Sequence, residues 1–146
     1  MRKIIFGVSV FCGMYVFAQT NFYSNVTNLW YQGYRTNVLT IANERLSQNT
    51  NDIAGLILKM ECDIAFFNLP EISNSIWKVI HVADTITTSN FVQKYTVERQ
   101  EMLDDLELFK TYPTPAELPV ERAKATIPNK PLPTYLLEAL QKDGYF

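Results

Sequence analysis

The chain has 146 residues, 47% hydrophobic and 19% charged, and a formal net charge of −2. That length suits one domain with one proper core. Net acidity and singly scattered Lys and Arg exclude a nucleic-acid binder, which needs a basic patch, and argue equally against an anionic membrane surface.

Residues 1–18 read as a secretory signal peptide, with Arg2 and Lys3 ahead of an apolar stretch from Ile4 to Phe17 and Val16-Phe17-Ala18 at its end. The stretch falls short of the roughly 20 residues that a membrane span needs, and the polar Gln19-Thr20-Asn21 closes it. Cleavage near Ala18 is therefore expected, giving an exported chain, periplasmic or secreted, with no span left. Cys12 follows Val10-Phe11 rather than small residues, so no lipid anchor is expected. Cys62 then remains alone, no intramolecular disulfide can form, and packing must supply the stability. Its apolar helical surroundings, Leu58 to Ile64, predict a core position.

In the mature chain only Gly33, Gly55 and Gly144 offer easy positive φ, so tight β-turns are scarce and helices are expected. A first helix near 23–35 holds Leu29, Trp30 and Tyr34. A second, near 37–48, carries Val38, Leu39, Ala42 and Leu46 on one side. A polar turn, Gln48-Asn49-Thr50-Asn51, leads into the clearest helix, 52–66, where Ile53, Leu56, Ile57, Met60 and Ile64 share a face and Asn51 is placed to cap. These two read as an antiparallel hairpin. Asn68-Leu69-Pro70 breaks the pattern, and Ile72, Ile76, Ile80 and Ala83 define a fourth helix whose buried stripe Trp77 widens. The fifth and longest, near 90–110, sets Phe91, Tyr95, Met102, Leu106 and Phe109 opposite Glu98, Glu101 and Asp105.

Six of the 7 prolines lie between Pro113 and Pro133, which rules out a long helix there. Thr114-Pro115-Ala116-Glu117 has the form of a capping box and predicts a short helical piece at that point or after Pro119. The rest reads as a strap carrying a last amphipathic helix, Tyr135 to Lys142, stopped by Gly144, whose Leu136, Leu137 and Leu140 need a cover. The expected fold class is all-α: a signal peptide (1–18), a domain of antiparallel helical hairpins (19–112), and a proline-rich strap with a C-terminal helix packed on the same domain (113–146).

Hairpins starting near residues 23, 52 and 90 give a period comparable with the 34 residues of tetratricopeptide repeats. The run from Ala42 to Asp52 looks like the end of a second repeat helix and the turn after it, with Thr50 where proline is usual. Trp30, Gly33 and Tyr34 are similar to the family's Trp, Gly and Tyr signature, at a spacing one residue shorter. Residues 23–110 thus resemble a tetratricopeptide stack, and the resemblance implies a concave face that binds a peptide or another protein.

Chemistry-bearing residues are few. His81 is the only histidine, which excludes a catalytic His pair or a multi-His metal site within one chain; with Asp84 it forms a His-x-x-Asp pair lacking a third ligand. The carboxylates Glu98, Glu101, Asp104, Asp105 and Glu107 lack the glycine-turned loop of a calcium site and read as a solvated helix face. No Gly-x-Ser-x-Gly elbow or glycine-rich phosphate loop occurs. No catalytic or metal-binding set is assigned, and no cofactor is expected. The aromatics Tyr23, Trp30, Tyr31 and Tyr34 crowd the mature N-terminus, with Trp30 and Tyr34 on one helical face, and are the candidate contacts for a protein or peptide partner, joined by the face of the third and fifth helices. The expected function is a non-enzymatic binding module or a subunit of an exported assembly, with an oligomer open to it. The alternative is a small helical enzyme or enzyme inhibitor using His81 or the carboxylates from Glu98 to Asp105.

Overall fold

The computed structural model describes residues 22–112, 114–117 and 134–146. The signal peptide and most of the proline-rich strap fall outside the described residues. Among those described, the protein is all-α: α1 (Phe22–Tyr31), α2 (Arg35–Gln48), α3 (Ile53–Ala65), α4 (Leu69–Ala83), α5 (Ser89–Thr111), a 3-10 turn (Pro115–Glu117) and α6 (Thr134–Lys142), with no strand. None of these helices is long and apolar enough to cross a membrane.

The first expected helix, 23–35, ends early. Gly33 takes φ +86°, and the Gly33 and Tyr34 amides donate to the carbonyls of Trp30 and Leu29, a pattern that terminates α1 and re-aims the chain into α2. Trp30 and Tyr34 therefore do not share a helical face. The same pattern closes α3, where the Phe67 and Asn68 amides donate to Ile64 and Asp63, although Phe67 must adopt φ +51° without being glycine. Its ring packs edge-on to Phe109, centroids 5.8 Å apart, which holds the unfavourable backbone in place.

Asp52, not Asn51, caps α3. Its extended backbone lets the carboxylate accept the Gly55 amide at 2.7 Å, while Arg45 grips both of its oxygens at 2.6 and 2.8 Å. Pro70 falls in the first turn of α4, where its missing N–H costs nothing. Helix α5 has no cap from its own Thr88. Asp143, just past α6, accepts the Phe91 amide at 2.9 Å and the Asn90 side chain at 2.8 Å, so the end of the chain caps a helix more than 50 residues upstream. Half of the expected capping box is present: the Glu117 carboxylate accepts from the Thr114 amide at 3.2 Å and hydroxyl at 2.8 Å, while the Glu117 amide donates to the Thr114 backbone carbonyl.

Helix α3 is the centre of the molecule. Eleven of its 13 residues are buried, including Glu61 and Asp63, and it packs against both α2 and α4. Only Lys59 and Ala65 of α3 are half-exposed, so the expected binding face of the third and fifth helices has little surface on α3. Gly55 sits where α2 and α3 cross, and a Cβ there would lie 3.1 Å from Leu46 and 3.3 Å from the Ala42 carbonyl oxygen. Cys62 is fully buried, as expected. The α5 seam of Phe91, Tyr95, Met102, Leu106 and Phe109 is buried as expected, but Asp105, placed on the solvent side by sequence, is 5% exposed and joins it. Leu136, Leu137 and Leu140 are wholly buried where α6 meets α5 and α1, so their cover comes from within one chain.

Candidate functional site

Of the N-terminal aromatics, Trp30 is 1% exposed, with the Arg35 guanidinium 5.0 Å above its ring, and belongs to the core. Burial removes it as a partner contact. Tyr23 is half-buried against the core, and only Tyr31 and Tyr34, flanking the turn at Gly33, stand out in solvent. Those two do not line either of the protein's described hollows.

A hollow lies elsewhere, along α4. Trp77 was expected to widen the buried stripe of α4, yet it is 54% exposed, because Ile72, Ile76, Val79, Ile80 and Ala83 already fill the face that α4 turns to α3 and α5. One residue on from Ile76 is about 100° around the helix, which carries Trp77 onto the open side. It lines a groove of about 470 Å³ with Lys78, His81 and Val82 from α4, buried Leu56 of α3 as its floor, and Thr50 and Asn51 of the α2–α3 connection opposite. A second hollow of about 220 Å³ is also lined by Thr50, Leu56 and Lys78, together with Lys59 and Ser75.

Its polar end rests on a buried carboxylate. Asp63, 3% exposed, accepts from the Ser75 hydroxyl at 2.5 Å and the Lys59 ammonium at 2.8 Å on one oxygen, and from Asn68 at 3.4 Å on the other. Lys59 is thus turned inward and neutralised. Asp84, the expected partner of His81, is also committed: Tyr95 donates to it at 2.7 Å and Arg99 at 3.0 Å. Those donors hold the Asp84 carboxyl below its ordinary range, the Arg99 hydrogen bond contributing most and Tyr95 next, while burial and the Asp84 contact push the Tyr95 phenol up. Lys78 and His81 make no ion pair with any described residue.

No carboxylate lines the groove that His81 faces. Glu101, Asp104 and Glu107 are exposed along α5, with Glu107 on Lys110 at 3.1 Å and Asp104 on Gln100 at 3.0 Å, whereas Asp105 points inward. The structure therefore does not bring the proposed acid–base groups together. Among the described residues no three His, Cys, Asp or Glu side chains cluster as a metal site would require. What the groove can do is bind: an apolar floor, an exposed indole and two cationic or proton-accepting groups at its rim. No protein-family model matches the chain, and no curated protein or solved structure matches it.

Proposed function

We propose that the protein is an exported, non-enzymatic binding module, released to the periplasm or medium after cleavage near Ala18, that holds a peptide segment of a protein partner in the groove along α4. The observation that carries this reading is the exposed Trp77, 54% accessible, standing beside a groove of about 470 Å³ floored by buried Leu56. A large aromatic left in solvent at the lip of an apolar hollow is the arrangement expected of an interface anchor, because its burial by a partner releases apolar surface that folding did not cover. The resemblance to tetratricopeptide repeats supports the same reading: short connections joining consecutive helices suit antiparallel hairpins, whose grooves take extended chains. The proline-rich strap is then the link that delivers α6 to its place on α1 and α5. Tyr31 and Tyr34 form a second, smaller patch for the same partner.

Photo-crosslinking in the native host tests the reading. With a crosslinkable residue in place of exposed Asn51, one specific protein adduct is expected, and it should disappear when Trp77→Ala is added while helical circular dichroism is unchanged. Absence of any adduct from this position, with adducts forming from Tyr31 or Tyr34 instead, would move the site to the N-terminal patch.

A further inference from the structure

We infer that the groove selects an acidic peptide: an apolar side chain laid on Trp77, with an Asp or Glu one or two positions away held by Lys78 and His81. The inference rests on the groove being the binding site and adds what it binds.

Charge complementarity carries it. Asp52 has Arg45 at 2.6 Å, Asp63 has Lys59 at 2.8 Å, and Asp84 has Arg99 at 3.0 Å, while Glu71 of α4 and every other described acid stand outside the lining of the groove. Lys78 and His81 are the ionisable groups of the wall, both exposed. Although the chain as a whole is acidic, charges more than about 10 Å apart are screened at moderate salt, so the local excess decides what the groove attracts.

Spacing on α4 sets the pattern. Trp77 and His81 are four residues apart and stand one above the other, about 5–6 Å between their Cβ atoms, with Lys78 three residues before His81 on the adjoining row. Side chains on one face of an extended peptide repeat about every 7 Å, close enough to set one on the indole and the next against Lys78 and His81. Exposed lysines alone bind a small anion weakly, because solvent screens such ion pairs; the affinity must come from apolar area on the exposed Trp77. A compact organic acid would stay wet on its outer side, since Thr50, Asn51, Trp77 and Lys78 leave the groove open to solvent, whereas a peptide runs through such an open groove with its backbone solvated.

A random heptapeptide library displayed on phage and panned on the mature chain tests this. Enrichment of sequences with Asp or Glu within two positions of a Leu, Ile, Phe or Trp is expected. Affinity of the synthetic winner, read by titration calorimetry, should fall about fivefold to tenfold in Lys78→Glu and more in Trp77→Ala. Lys78→Glu should in turn enrich Lys- or Arg-bearing peptides. Winners without acids, or an acidic winner indifferent to Lys78→Glu, would overturn the acidic specificity while leaving peptide binding intact. Failure to enrich any peptide would overturn the peptide reading and this inference with it.

Discussion

Burial pushes the Cys62 thiol up to about 12, with Glu61 and Asp63 beside it adding to the effect and Lys59 and Arg35 opposing it. Only the thiolate is a nucleophile, so native protein should resist iodoacetamide at pH 8 and react fully in guanidinium; labelling of the folded chain within minutes would show that the α3 core opens readily. Asp84 gives the opposite shift. Its folded value lies below its unfolded one near 3.8, so the Asp84–Arg99–Tyr95 network contributes stability above that pH and loses it as pH falls through the folded value. The difference in urea midpoint between wild type and Asp84→Asn should be small, because both charged side chains are more than a third exposed, constant from about pH 7 to 5, and shrinking as pH falls below 3.8. Only the first of these environments was legible in the sequence. Cys62 reads as core from its apolar neighbours, but the capture of Asp84 by side chains 11 and 15 residues away belongs to tertiary packing.

Helices announced themselves by periodicity, and α2, α3, α5 and α6 start and stop within two residues of where apolar spacing and capping residues place them, whereas α4 begins at Leu69, inside the expected break. Reading failed where one residue's rotation decides. Trp77 and Asp105 sit at the margins of their helical stripes, and neighbouring helices, not the local pattern, determine that the first is left outside and the second enclosed. The groove shares that limit, because it joins α4 to a connection about 30 residues upstream. Gly55 shows competing effects of similar size. Alanine would gain about 1 kcal/mol of helix propensity, but its Cβ would press on the Ala42 carbonyl, the Leu46 side chain and the Asp52 carboxylate 3.0 Å away, which Arg45 prevents from yielding. Overpacking should win, and Gly55→Ala should lose about 1 kcal/mol in urea unfolding followed by circular dichroism.

At the scale of the molecule, α6 joins the beginning of the described fold to its far end, contacting α1 and α5 while Asp143 caps the latter. Leu137→Ala should therefore cost about 3 kcal/mol. Hydrogen exchange should show the amides of α1 and α5 losing protection in step with those of α6, since all three share one core. Exchange confined to α6 would mean that the last helix is an appendage.

Phe22 and Phe146 meet edge to face with centroids 4.8 Å apart, and the Arg45 guanidinium lies 4.5 Å from one ring and 5.8 Å from the other. The path of the backbone through the described helices is thus nearly a loop. Joining Phe146 to Phe22 through about six flexible residues, which span roughly 20 Å, should allow the order of the helices to be rotated, with new ends opened in the exposed Asp84–Thr87 stretch. The identity of the first and last helices would then be a matter of genetics, while the groove beside Trp77 would be built from the same side chains.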